Sequence, residues 1–541
     1  MRESASGAVR EGIEALKRIQ ACLRELGIHF VCPNALPGSY PRCGVKKQIS
    51  IDFFAAMFAC LLVLGCASTA KVSANRVLHR TVELRIGEAQ DVSLCDGRVV
   101  HVKLLNLQER RDEVNGAVRQ AEVLVEVNGQ ITNLTSGTYH LPVTFGSVQI
   151  DCPITKGYLE KSSGQNPWGL LKDARLRLWP AGSPWIARDS FVYPAKQRWF
   201  ASYTQMANEP VYVDGGELPA KKEIYYHFGL DIGGSEGLVD VVSATEGIVT
   251  SSGNDVLAGQ AADAPGERRY DVVYIRDSRD WYYRYSHLKF IDPAVRPGAR
   301  IALGQKIGVL GKEGGSGGWS HLHFDISARQ PSGRWGIEEG YAFLWQAYEQ
   351  EHPRELVAVA RPHALVWAGQ KVMLDGSRSR GQGLRQEWMF TDGESASGQR
   401  VERSYEKPGT YCEILKITDA SGRVDYDFMA VQVIDRAHPD QPPPTIHANY
   451  APTFGIRPGD PVVFKVRTFR DKAGGETWDF GDGTLAVKVK SDANADHHAP
   501  DGYAEARHVY AKPGHYLVSV EHVSTEGIRA VARLQVRVGI E

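Results

Sequence analysis

The chain has 541 residues, 43% of them hydrophobic and 23% charged, an ordinary globular composition and a length that calls for several domains. Its 63 Lys and Arg balance 64 Asp and Glu to a formal net charge of −1, so no charge excess draws it toward nucleic acid or an anionic membrane surface. With 55 Gly, 27 Pro and many short Val/Ile/Tyr/Thr runs, turn-rich and mainly β structure is expected.

Residues 1–44 hold one mildly helical stretch, "EGIEALKRIQACLRELGI", and read as an extension upstream of a true start near Val45. Residues 45–66 then carry Lys46 and Lys47, an apolar run from Phe53 to Leu64, and Gly65-Cys66. A basic start, a short apolar core and a small residue before a processing point describe a secretory signal. The run is shorter than the roughly 20 apolar residues that span a bilayer. "LVLGC" resembles the lipobox of bacterial lipoproteins, although Leu64 is a less usual residue there. The resemblance implies a lipid on Cys66, which would be the first mature residue of an exported, membrane-anchored protein of the cell envelope. That lipid would be its only membrane contact. Cys22, Cys32, Cys43, Cys60 and Cys66 all lie at or before the end of this run, and only Cys95, Cys152 and Cys412 lie beyond it. In an oxidising compartment Cys95 and Cys152 could pair.

From 76 to 190, "RTVELRI", "VVHVKLL", "AEVLVEV" and "GSVQIDC" alternate with period two between turn signals, as strands of a small β domain do. No catalytic motif stands out in it; a prodomain, a binding module or a spacer would each fit.

The segment 191–348 carries the chemistry. "HFGLD" sets His227 and Asp231 four residues apart, and "SHLHFD" sets His321 and His323 two apart. On a strand, even spacing puts His321 and His323 on one face, while Leu322 and Phe324 can pack into the core. Gly229 and Gly233-Gly234 argue against a helix around His227 and Asp231. A catalytic zinc takes three ligands from His, Asp or Glu and keeps a fourth position for water. His-Glu-x-x-His is excluded, because no His is followed by Glu anywhere in the chain. "GKEGGSGGW" lacks the Gly-Lys-Ser/Thr ending of a phosphate loop. "WYYRY", Trp281 to Tyr285, reads as alternating strand residues.

In order, "HFGLD", "SATEGIVTSSG", "YSHL", "VRPGARIALGQKIGVLGKEGG" and "SHLHFD" resemble the lysostaphin/LytM-type zinc metallopeptidases, which are peptidoglycan endopeptidases; the match covers roughly residues 225–327. The resemblance implies an antiparallel-β peptidase domain over 191–348 with one zinc ion per chain. It implies His227, Asp231 and His323 as metal ligands, His321 as general base, and His287 as the residue that positions or stabilises the oxyanion. The activity it implies is hydrolysis of peptide bonds in peptidoglycan stem peptides or cross-bridges by metal-activated water. Two departures bear on the substrate groove: the polar insertion "NDVLAGQAADAPGERRYDVVYI", and Trp319 where the family often has a small residue or proline. Two other readings stay open, a non-catalytic relative that regulates or binds cell-wall hydrolases, and a zinc peptidase acting on glycine-rich proteins.

Beyond "QEHPRE" one frame occurs twice: "EWMFTDGES" with "YEKPGTYCEILKITDASGR", and "TWDFGDGTL" with "YAKPGHYLVSVEHVSTEGIR". This internal repeat resembles PKD (polycystic-kidney-disease) repeats, which implies two immunoglobulin-like β-sandwiches, at 356–436 and 445–540, acting as spacers or as modules that bind wall or protein. "AHPDQPPPT" between them is expected to be an extended, semi-rigid spacer. The second copy carries an insertion, "KSDANADHHAPDGYAE", whose His497-His498 pair reads as part of a solvated loop.

Overall fold

The computed structural model describes residues 76–540, apart from 138, 161–165, 200–204, 208–209 and 213–223. The expected extension, the signal-like segment and Cys66 lie outside the described residues. The chain is mostly β, with an N-terminal β region, an antiparallel-β domain and two immunoglobulin-like sandwiches. Among the described residues no helix is long and apolar enough to cross a membrane.

The period-two segments of the N-terminal region form two four-stranded sheets. One runs in the order Arg80–Leu84, Ala174–Pro180, Val148–Thr155, Val143–Phe145; the other in the order Ala89–Ser93, Val99–Arg111, Val118–Val127, Gln130–Gly137. Alternate residues of both, among them Val82, Val102, Leu104, Val123, Ile150 and Leu178, close one shared core. Cys95, Cys152 and Cys412 are all free thiols, so the pairing considered for Cys95 and Cys152 is not made. The Cys152 side chain belongs to this core and its thiol turns to the Ile154 carbonyl, whereas Cys95 is half-buried.

The region is not a detached module. Arg177, on the Ala174–Pro180 strand and fully buried, donates to Asp151 on the adjacent strand at 2.6 Å and to Glu338 of the next domain at 2.7 Å. Arg175 two residues earlier pairs with Glu83 at 2.7 Å and donates to the Ile337 carbonyl at 3.1 Å. His79 lies 3.3 Å from Glu338. Burial works to raise the Glu338 carboxyl, but His79 and Arg177 hold it down at about 2. Trp179, Ile186 and Phe191 continue into the core of the following domain.

That domain is built on an antiparallel sheet in the order Asp255–Val256, Gly247–Ser252, Val273–Arg276, Tyr282–Ser286, His321–Arg329, Leu230–Gly233, Gln205–Ala207. Asp240–Val242, Lys306–Leu310 and Leu288–Ile291 form a second, three-stranded sheet. Its helix, Tyr341–Glu351, buries Phe343, Leu344, Ala347 and Tyr348.

In the C-terminal repeats the shared frame recurs in three dimensions. Trp388 and Trp478 are both fully buried at the centres of their sandwiches. Tyr411 donates to the Lys407 carbonyl at 2.9 Å, and Tyr516 makes the same turn bond to Lys512 at 2.7 Å. The expectation of an extended spacer between them is corrected. The strands Gly409–Thr418 and Arg529–Val538 pair in parallel, Gly409 beside Arg529, so one nine-stranded sheet runs through both repeats. The connection packs against this joint, its Pro444 carbonyl accepting from Thr410 at 2.7 Å. Edge-to-edge hydrogen bonding satisfies strand groups that a free linker would leave to water.

Two outcomes are expected from the buried ion pairs. Arg177→Met should lower stability by roughly 3–5 kcal/mol, since it strands two carboxylates in the interior, and chemical denaturation measures this. Because folding depresses the Glu338 pKa, its contribution is complete above the ordinary carboxyl range and is lost as pH falls from about 4.5 toward about 2. Glu338→Gln should flatten that limb of the unfolding midpoint against pH.

Candidate functional site

The site is assembled by strand register. Leu230–Gly233 pairs antiparallel with His321–Arg329 so that Asp231 stands opposite His323 and Gly233 opposite His321. On the other side of the same strand, Ser286 stands opposite His323, and His287 follows at the strand end in a left-handed conformation, φ 68°. Leu322 and Phe324, between the active positions, are buried in the core. His227 reaches the group through Gly229, whose φ is 77°; a Cβ there would sit 2.6 Å from the Phe324 carbonyl oxygen. Only glycine tolerates both demands.

Three donor atoms converge. His227 Nε2 is 3.0 Å from Asp231 Oδ1 and 3.1 Å from His323 Nδ1, and His323 Nδ1 is 2.8 Å from Asp231 Oδ1. A tetrahedral zinc with bonds near 2.0–2.1 Å separates its donors by roughly 3.3 Å, close to this triangle. All three residues are buried, and two imidazoles with one carboxylate is a donor set suited to a divalent transition metal. The cluster therefore could hold a metal ion.

The other two histidines are brought to the same place. His321 Nε2 lies 3.5 Å from Asp231 Oδ2, and its ring centroid is 4.6 Å from that of His287. His321 Nδ1 faces the Trp319 carbonyl at 3.0 Å, and His287 Nδ1 faces the Glu313 carbonyl at 2.7 Å. A carbonyl only accepts, so each Nδ1 carries the hydrogen and each Nε2 is left for the site.

Burial and neighbours divide the group electrically. Burial works to raise the Asp231 carboxyl, yet the surrounding imidazoles of His227, His321 and His323 hold it well below the usual range. Burial pushes His321 well below its ordinary value and lowers His287. For His323 the same burial is outweighed by hydrogen bonds to Asp231 and Asp325, and its pKa rises.

Two supporting carboxylates were not singled out from the sequence. Asp325 Oδ2 lies 3.1 Å from His323 Nε2, which gives that nitrogen the hydrogen and turns Nδ1 toward Asp231. Its signal was present, since 321, 323 and 325 follow the same period of two. Asp271, fully buried at the end of the polar insertion, accepts from the His287 backbone N–H at 2.9 Å and lies 3.4 Å from its Nδ1. Arg269 pairs with it at 2.5 Å. No local periodicity marks Asp271. His497 and His498 are exposed.

Residues 225–333 match peptidase family M23, and residues 355–433 and 447–532 each match the PKD domain. Among solved structures, one assigned as a glycyl-glycine endopeptidase, lytM, of Ruminococcus gnavus is 23% identical at a TM-score of 0.20; the overlap covers 29% of this chain and 61% of that one. The catalytic domain of the prophage-encoded M23 protein EnpA of Enterococcus faecalis is 22% identical at a TM-score of 0.15, over 20% of this chain and 74% of that one. Csd3 of Helicobacter pylori is 14% identical at a TM-score of 0.19, over 50% and 80%.

Asp325→Asn should weaken binding of a divalent ion about 10–100-fold, read by titrating metal into chelator-treated protein, while leaving the fold intact.

Proposed function

We propose that this chain, in which an M23 peptidase domain is followed by two PKD domains, is an exported zinc endopeptidase that hydrolyses peptide bonds in peptidoglycan stem peptides or cross-bridges. The observation that carries the reading is the buried His227–Asp231–His323 triangle, with the Nε2 of His321 beside it at 3.5 Å from Asp231. His227, Asp231 and His323 would hold the metal. Bound there, zinc would supply Lewis-acid polarisation of a carbonyl and would lower the pKa of a coordinated water toward about 7.

The remaining roles belong to the chain itself. His321, neutral because of its burial, accepts the proton of the attacking water at Nε2. Its Nδ1–H is fixed on the Trp319 carbonyl, so the ring cannot turn its basic nitrogen away. His287 faces the same space. With its Nδ1–H held by the Glu313 carbonyl, its Nε2 is the nitrogen turned toward the developing oxyanion, and it donates there only once protonated, against the lowering effect of burial on its pKa. Asp325 fixes the tautomer and plane of His323.

A non-catalytic role would be expected to accompany loss of a ligand or of the base, and here the whole set is present. Export and a lipid on Cys66 belong to the same proposal, on the strength of the signal-like segment; the mass of the mature N-terminus tests them.

Purified chain incubated with purified peptidoglycan is expected to release fragments with new peptide ends, detected by mass spectrometry. His323→Ala should abolish bound zinc. His321→Ala should keep zinc and lose roughly 10²–10⁴-fold in turnover. Cleavage of a glycine-rich protein with no new ends from wall would replace the substrate named here.

A further inference from the structure

The segment Gly317–Ser320 leads directly into His321, and each of its four residues meets the second PKD repeat. The Gly317 carbonyl accepts from Asn494 at 3.0 Å and the Gly318 carbonyl from Arg467 at 2.5 Å. The Trp319 ring meets His447 in an edge-to-face contact at 5.2 Å, and the Ser320 N–H donates to the Tyr503 hydroxyl at 2.8 Å. A second loop, which follows the Asp231 strand, is held by the same face. Ser235 donates to Asn449 at 2.6 Å, and Lys465 donates to the Glu236 carbonyl at 3.1 Å. These groups stand on the strands Thr445–Ala451 and Pro461–Phe469 and on the insertion that only the second repeat carries.

The insertion is built for the task. Arg467, fully buried, is clasped by both oxygens of Asp492 at 2.7 and 2.5 Å and by the Asp496 carbonyl at 2.6 Å. Its remaining N–H groups are thereby aimed, one of them at Gly318. Tyr503 donates to His447 at 2.6 Å, the latter kept neutral because burial takes its pKa down to about 3. The Tyr503 oxygen is then left to accept from Ser320. Between the second repeat's contacts and the site stands Trp319, its ring stacked on His321 at 3.7 Å and 15° and its carbonyl on the His321 Nδ1–H.

We propose that the second PKD repeat is a positioning element of the peptidase site, holding the 317–320 segment so that Trp319 fixes the plane of the His321 imidazole. The proposal rests on the peptidase reading above. It assigns to this repeat a part in turnover, where a tethered binding module would act on substrate capture alone.

The test uses the full chain with Tyr503→Phe and Asn494→Gly combined. The first removes one hydroxyl; the second suits the left-handed backbone of Asn494, φ 61°, and removes only its side chain. Amide hydrogen exchange across 314–322 should speed up at least ~10-fold with no change elsewhere in the peptidase domain, as two hydrogen bonds near 1 kcal/mol each imply. On soluble cross-linked fragments of purified peptidoglycan, kcat should fall about 10-fold with KM within about 2-fold and bound zinc unchanged. Trp319→Ala should lower kcat likewise, and Trp319→Phe, which keeps a ring over His321, should recover most of it. Unchanged exchange in the double variant overturns the proposal. So does a raised KM at constant kcat, which would make the repeat a substrate grip, or a loss of zinc, which would place the effect on the metal ligands. A wild-type chain that releases no peptide ends, with the exchange effect intact, would sink the peptidase reading and leave the coupling of repeat to loop standing.

Discussion

The antiparallel register between Leu230–Gly233 and His321–Arg329 is the constraint on which everything else depends. It sets Asp231 opposite His323, where side chains of directly paired residues stand about 5 Å apart. The same strand alternates two jobs. Leu322, Phe324 and Ile326 are buried in the core, while His321, His323 and Asp325 face the site. A slip of one residue would exchange the sets, putting three titratable groups into the core and three apolar chains into the site. Burying each of those apolar side chains stabilises by about 1.5–3 kcal/mol, so the core itself enforces the geometry of the site.

Around that strand pair two of the site imidazoles are each steadied by a carboxylate that is itself paired with an arginine. Asp325 stands between His323 and Arg284, and Arg284 in turn donates to Glu267 at 2.8 Å. Asp271 stands between His287 and Arg269. Both chains run from a site imidazole through a carboxylate to an arginine. In a low-dielectric interior such chains are worth having only when each member is satisfied, and then they leave each ring one orientation. His323 and His287 are therefore held in orientation before any substrate arrives.

The sequence made the first half of this legible. Alternation is a local property, so the shared face of His321 and His323 could be read from their spacing, and so could the burial of Leu322 and Phe324. The repeated Trp, Asp-Gly and Pro-Gly-x-Tyr frame likewise announced two similar sandwiches, because the turn bonds of Tyr411 and Tyr516 are local. Asp271 was hidden because its partner His287 is sixteen residues away, beyond a strand hairpin, and the polar insertion that ends around Asp271 has no periodicity to mark it. The parallel pairing of Gly409 with Arg529 and the ion pair of Arg177 with Glu338 join residues more than a hundred apart. Nothing in either neighbourhood encodes the other.

The insertion of the second repeat shows how far a local reading can mislead. Its polar composition and the exposed His497-His498 pair suit a solvated loop, and at its tip that is what it is. Its base does something else. A buried arginine must be fully hydrogen-bonded or it costs several kcal/mol, and Arg467 meets that demand with Asp492, the Asp496 carbonyl and Gly318. The first two partners lie within the repeat and the third lies in the peptidase domain. Satisfying one guanidinium therefore fastens two domains together beside His321. The repeats are also joined to each other through a shared sheet, so the second cannot swing on its connection without breaking strand pairing. Modules alike in sequence thus differ in consequence: the first meets the helix of the peptidase domain, Arg380 reaching Glu349 at 2.8 Å, and the second, by an insertion of polar residues, reaches the side chains on which turnover would depend.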